Sequence, residues 1–139
     1  MAKAPTELSE ALKRYGEALG MAFQIVDDAL DYVESPKTGK NHGTDLMERK
    51  MTLPLIHLIH NCKADEKSFL LDLIKEKQIG LEQLKEVTQM IQRYESIKYS
   101  LKRAGDYIAS ALQETKQLPQ GPARDSLEKL AHYVLSRSH

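Results

Sequence analysis

Apolar residues along this chain recur at steps of three and four almost from end to end. From Leu8 they run through Leu12, Tyr15, Leu19, Ala22, Val26, Leu30 and Val33, which is the spacing of one helix face and not the alternation of a strand. Pro5, Thr6 and Glu7 suit a helix start, and Pro36 drives the chain out of helix near Ser35. The pattern thus predicts one long first helix with Gly16 and Gly20 inside it. Each glycine there costs up to ~1 kcal/mol against alanine, so close packing or ligand approach is expected at both. Residues 36–43, Pro-Lys-Thr-Gly-Lys-Asn-His-Gly, read as an irregular loop with two glycine hinges. Asp45 followed by Glu48 resembles a capping box that opens about one turn of helix. Thr52 caps the next start, with Pro54 in its first turn, and Leu53 to Ile59 is apolar nearly all round, the mark of a buried helix. Further helices are predicted over about 65–77, capped by Asp65, about 81–94 after Gly80, about 96–117 and about 123–136. Pro119-Gln-Gly-Pro122 sets off the last. No window alternates for long enough to make a strand, and there is no internal repeat. The expectation is an all-α helical bundle of roughly six to seven helices, with residues 1–139 as a single unit.

Composition narrows the class. The 139 residues carry 20 Lys plus Arg against 20 Asp plus Glu, a formal net charge of zero. A general nucleic-acid binder or a polybasic membrane-surface protein needs a positive excess, so both are excluded as expectations. With 41% hydrophobic and 29% charged residues, the chain has the makings of a core. The single cysteine, Cys62, rules out an intramolecular disulfide and fits a reducing compartment. No apolar run is long enough to cross a bilayer, and no signal-peptide pattern precedes the first helix. A cytoplasmic location is expected.

The chemistry concentrates near the end of the first helix, in Gly20-Met-Ala-Phe23-Gln24-Ile-Val-Asp27-Asp28-Ala-Leu-Asp31. Asp27 and Asp31 lie about 40° apart on the helix wheel, with Gln24 and Gly20 beside them and Phe23 at the seam with the apolar stripe. A bare carboxylate pair one turn apart repels itself, and a divalent cation reverses that sign. Mg²⁺ suits such hard oxygen ligands, because it takes only one or two carboxylates and fills its octahedron with water and phosphate. On its own, such a pattern is most often a solvated acidic face. Residues 27–34 hold four acids and no base, whereas Lys37, Lys40, Arg49 and Lys50 follow within sixteen residues. Acids to hold a metal followed by lysines to hold a phosphate make a complementary layout.

Three blocks in order, Phe23-Gln24-x-x-Asp27-Asp28-x-x-Asp31, Gly39-Lys40-x-x-Gly43-Thr44-Asp45 and Lys50-x-Thr52-Leu53-Pro54, closely resemble the trans-polyprenyl diphosphate synthases. The first block looks like that family's second aspartate-rich motif. The resemblance implies the C-terminal portion of the isoprenoid synthase fold. It also implies a prenyltransferase that ionises an allylic diphosphate with the help of Mg²⁺ and adds isopentenyl diphosphate head to tail. Asp27 would then be a direct Mg²⁺ ligand, while Asp28 and Asp31 would bind or orient metal through water. Lys40 and Lys50 would be the catalytic cations, contacting the allylic diphosphate as point charges, and Phe23 and Gln24 would line the pocket where the substrates meet. The chain departs from the family in one large respect: it has no counterpart of the earlier aspartate-rich motif. Before Asp27 its only acids are Glu7, Glu10 and Glu17. The expectation is therefore a half-synthase, inactive alone, that needs the missing N-terminal half or a partner subunit. Helix faces left bare by that loss favour a homo-oligomer or swapped assembly. A second reading is a non-catalytic helical subunit or interaction module derived from such a synthase. Asn41-His42 replaces the proline often seen after the Gly-Lys pair, a minor change. The long C-terminal helices lean towards a long-chain product, although the residues that set product length are not in this chain.

Other groups carry less. His57, His60 and Cys62 lack a fourth ligand for tetrahedral zinc, so partnered histidines on a buried helix are expected. Gly39-Lys40 through Gly43-Thr44 lacks the ending and the preceding strand of a phosphate loop. Tyr94, Tyr99 and Tyr107 read as core or interface aromatics, and Arg137-Ser138-His139 as a frayed end.

Overall fold

The computed structural model describes residues 5–33 and 44–137. Among them the chain forms seven helices: α1 (Pro5–Leu30), α2 (Thr44–Met47), α3 (Leu53–Asn61), α4 (Ala64–Lys75), α5 (Leu81–Arg93), α6 (Ser96–Thr115) and α7 (Pro122–Ser136). The class is all-α, as the periodicity indicates. The described residues fall into two compact units, one made of those within 1–26 and 101–139 and the other of those within 27–100.

In the first unit, the buried residues of α1 are Ala11, Tyr15, Ala22, Ile25 and Val26. Leu12, which the sequence pattern assigned to the buried stripe, stands 45% exposed. The true stripe is rotated towards alanines, whose small side chains let helices approach closely. Ala104, Ile108 and Ala111 of α6 and Ala131 and Val134 of α7 are buried likewise. Polar contacts fix these helices. The Tyr15 hydroxyl donates to the Leu127 carbonyl at 2.7 Å, and Arg14 Nε meets Glu114 Oε1 at 3.0 Å. At the α6–α7 connection, the buried Thr115 hydroxyl donates to the Leu112 carbonyl at 2.7 Å and lies 3.2 Å from Glu128 Oε1. Arg124 Nε donates to the same carboxylate at 2.9 Å. That bond, foremost, holds the Glu128 carboxyl below its usual range. Gly121, the N-cap of α7, has φ 156° and ψ −178°, a backbone region only glycine enters readily.

The second unit has an apolar core of Tyr32, Leu46, Leu55, Leu58, Ile59, Leu70, Leu73, Ile79, Leu84, Val87, Met90 and Ile91. Here α3 packs against α5, and Pro54, Leu55, Leu58 and Ile59 of α3 are buried, as its apolar run predicts. The caps differ from the sequence reading. Thr52 is the N-cap of α3, but its side chain makes no capping bond; the helix starts because Pro54 occupies the first turn and cannot donate anyway. The N-cap of α4 is Lys63, not Asp65, and the Lys63 N–H donates to Glu66 Oε1 at 3.2 Å. Glu66 also accepts from the Tyr94 hydroxyl and the Arg93 guanidinium, which ties the start of α4 to the end of α5. The tyrosine bond, foremost, holds the Glu66 carboxyl below its usual range. Glu95 takes a left-handed φ of 55°, which makes the joint between α5 and α6.

Candidate functional site

Helix α1 presents Phe23, Gln24, Asp27 and Asp28 in its last two turns, and Asp31 follows in the closing turn. The helix ends five residues before Pro36 would force it to, with turn bonds from the Tyr32 N–H to Ala29 O and from the Val33 N–H to Leu30 O. Val33, placed on the buried stripe by the periodicity, is accordingly exposed. Asp27 is exposed, while Asp28 and Asp31 are half-buried.

The decisive contact is long-range. The backbone N–H of Asp45 donates to Asp31 Oδ2 at 3.0 Å. A carboxylate from the end of α1 therefore satisfies a first-turn donor of α2, which has no partner inside that helix. The sequence reading gave that donor to Glu48 in a capping box; Glu48 instead binds Lys50, its Oε2 3.0 Å from Lys50 Nζ. Lys50 Nζ lies also 3.7 Å from Asp45 Oδ1. The hydrogen bond to Glu48 and the charges of Glu48 and Asp45 push the Lys50 ammonium pKa up. Asp31, Asp45 and Lys50, spread over twenty residues of sequence, are thus linked in one run of polar contacts.

The chain reverses between α2 and Lys50 by a glycine-type turn made without glycine. Arg49 has φ 59°. Its N–H donates to Leu46 O at 2.9 Å and the Lys50 N–H donates to Asp45 O at 2.8 Å. This is the paired bonding of a Schellman motif, whose left-handed position usually belongs to glycine. A side chain there costs about 1–2 kcal/mol. The Arg49 guanidinium donates to the Glu76 carbonyl, beyond the end of α4.

Beside these groups lie two buried hydroxyls, Tyr32 at 2% and Thr52 at 7% exposure. Neither has a partner at full hydrogen-bond geometry among the described residues, but the two hydroxyls lie near enough to interact, and the effect of burial on Tyr32 is offset in part by Thr52. Burial, foremost, pushes the Tyr32 phenol far above its ordinary value, and the nearby charges of Asp31, Asp45 and Asp28 add to it. Tyr32 is a neutral wall of the acidic region, and sequence reasoning missed it; its place one residue after Asp31 was the only signal.

Phe23 is 45% exposed, with the Arg137 guanidinium 4.5 Å above its ring. This contact belongs to the first unit and gives Arg137 an aromatic neighbour on the motif helix; Ser138 and His139, the rest of the expected frayed end, lie outside the described residues. Built side chains at Gly16 and Gly20 meet no described atom within 4 Å, so the close packing expected there is not made within the described residues. Lys40 lies outside the described residues, as do Lys37, Gly39, Asn41, His42 and Gly43. His57 is partnered, with Nδ1 2.8 Å from Ser96 Oγ and the ring stacked on Tyr99 at 4.3 Å. His60 is exposed. Burial, foremost, pushes the Cys62 thiol up, which keeps it a thiol and a poor metal ligand.

Among the described residues no group of three His, Cys, Asp or Glu side chains is arranged to hold a metal ion. The carboxylates of Asp27, Asp28 and Asp31 are the donor type of a hard cation that needs one or two protein carboxylates, and Asp27 is open to solvent.

The chain is similar to known proteins over almost its whole length. The polyprenyl synthetase family profile matches residues 1–91, and the chain belongs to that family. It is 39% identical over 134 residues to an all-trans-nonaprenyl-diphosphate synthase of Rhodobacter capsulatus, covering 94% of this chain and 40% of the relative. It is 34% identical to the octaprenyl diphosphate synthase of Escherichia coli, covering 94% and 41% respectively. A polyprenyl synthase structure from Caulobacter crescentus, complexed with calcium and isoprenyl diphosphate, superposes with a TM-score of 0.87 at 34% identity, covering 98% of this chain and 42% of that one. The helices match part of the isoprenoid synthase fold. The chain spans about two-fifths of the length of these relatives.

Proposed function

We propose that this chain carries the second aspartate-rich motif and a diphosphate-binding lysine of a trans-prenyltransferase. Such an enzyme condenses isopentenyl diphosphate with an allylic diphosphate to give a polyprenyl diphosphate. The observation that carries the reading is the Asp45 N–H to Asp31 bond. It ties Asp31, at the acidic end of α1, to the segment bearing Lys50, which supports reading the two as parts of one metal-diphosphate site. The family membership and the polyprenyl synthases among its relatives support the same reaction class.

In this reading Asp27 holds Mg²⁺, with Asp28 and Asp31 orienting it through water. The ion would supply charge neutralisation that makes diphosphate a better leaving group. Lys50, kept charged by Glu48 and Asp45, gives a point charge to a phosphate oxygen, and Lys40 does the same from the preceding loop. Asp31 spends one oxygen on Asp45, so its first task is to position. Phe23 and Gln24 extend the face towards the apolar part of the substrate. The reading includes that the chain alone does not turn over, and that the remaining helices of the fold must come from another segment or subunit.

Calorimetry with Mg²⁺ and pyrophosphate tests the site. Weak binding that is reduced about tenfold or more by Asp27→Ala is expected, a loss of ~1.4 kcal/mol. Equal affinity in variant and parent would remove Asp27 from the metal role.

A further inference from the structure

Arg49 stands directly before Lys50, the lysine that the proposed site uses, in a left-handed backbone conformation that disfavours its side chain. The turn is fully bonded, with its two N–H groups placed on Leu46 O and Asp45 O. Any opening of φ at Arg49 breaks the Lys50 N–H to Asp45 O bond, and the direction in which the Lys50 side chain leaves the backbone changes with it. An L-residue other than glycine has a standing bias to open in this way. What opposes that bias is visible: the guanidinium reaches across to the Glu76 carbonyl, which lies just past α4 in the same unit. Among the described residues Lys50 is exposed and pairs with the exposed Glu48 and, at the longer 3.7 Å, with the half-buried Asp45, contacts that solvent screening leaves weak as a means of setting its direction.

We propose that Arg49 is a positioning residue for Lys50, its guanidinium bond to the Glu76 carbonyl holding the left-handed turn that aims Lys50 at the diphosphate. The inference rests on the reading of Lys50 as a diphosphate ligand, but its first consequence, a held turn, can be measured without it. The logic also separates backbone from side chain. Alanine at 49 keeps the steric bias and loses the tether, so the turn opens. Glycine loses the tether too but has no bias to resist, so the turn stays closed.

The test uses the whole 139-residue chain as parent, Arg49→Ala, Arg49→Gly and Lys50→Ala. Hydrogen exchange of the Lys50 backbone amide reports the turn, and calorimetry with Mg²⁺ and pyrophosphate reports the site. Arg49→Ala is expected to speed Lys50 exchange about tenfold, with core amides of α3 and α5 unchanged. It should also weaken pyrophosphate about as much as Lys50→Ala does. Arg49→Gly should return both values to within about threefold of the parent, a rescue that loss of a merely structural contact would not show. Unchanged Lys50 exchange in the alanine variant, or a glycine variant no better than alanine, would overturn the proposal. If Lys50→Ala binds pyrophosphate as the parent does, the reading of Lys50 fails. The aim assigned to Arg49 then fails with it, while the exchange data still decide whether Arg49 holds the turn.

Discussion

A single carboxylate, Asp31, shows how differently residues of one motif are employed. It sits one turn after Asp27, yet its Oδ2 accepts the Asp45 N–H, whereas Asp27 stands exposed. Removing an acceptor from a first-turn donor costs typically about 0.5–2 kcal/mol. Asp31→Ala should therefore lower stability by about 1 kcal/mol in urea unfolding, and Asp31→Asn, which keeps an acceptor oxygen, should recover most of it. An alanine variant as stable as the parent would show that the bond does not matter. The motif spacing made all three aspartates visible as a group, because i and i+4 positions share a helix face whatever surrounds them. It could not reveal that one of them is committed to a backbone donor fourteen residues away, since that depends on where the chain returns. Tyr32 and Arg49 were illegible for the same reason: one acts through burial, the other through a left-handed turn that its residue type disfavours.

At the scale of elements, the glycines of α1, the core of α3 and the carboxylates Glu66 of α4 and Glu128 of α7 make separate predictions. Gly16 and Gly20 lie in the exposed interior of a helix, and a methyl at either would meet no described atom within 4 Å. Gly20→Ala should therefore raise stability by about 0.5–1 kcal/mol through helix propensity alone. A lower melting temperature would mean that the glycine serves the fold itself. Leu58 of α3 is wholly buried, and Leu58→Ala should cost about 2–5 kcal/mol in chemical denaturation. Glu66 and Glu128 tie helix ends together, and both have carboxyl pKa values below the ordinary 4.5. A depressed carboxylate stabilises the fold above its unfolded pKa and loses that contribution as pH falls through the folded value. The melting temperature should accordingly drop below about pH 4.5, and the drop should be shallower in Glu66→Gln and Glu128→Gln. The helices themselves were plain in the sequence, including the breaks at Gly80 and at Pro119–Pro122. Their caps were not, because Lys63 and Gly80 hold cap positions through the side chains of Glu66 and Gln83 three residues on.

For the whole molecule, the comparison of lengths frames the activity. The chain covers nearly all of itself but only 40–42% of its relatives. Incubated alone with isopentenyl diphosphate, farnesyl diphosphate and Mg²⁺, it is expected to give no longer prenyl diphosphate; product detected by radiolabel extraction would overturn that expectation. No described helix is long and apolar enough to cross a membrane. By itself, the sequence determined the helical class, the main helix boundaries, the family and the row of acids on α1. All of these follow from residue spacing and local preference, which act over a few positions of the chain. The tertiary structure alone decided which face of α1 is buried, that Asp31 caps α2, and that Lys50 lies beside Asp45 and Glu48. It also decided that Arg49 is held to the end of α4. Those outcomes depend on the chain returning to meet itself, where burial and unsatisfied backbone donors, and not spacing, choose the partners.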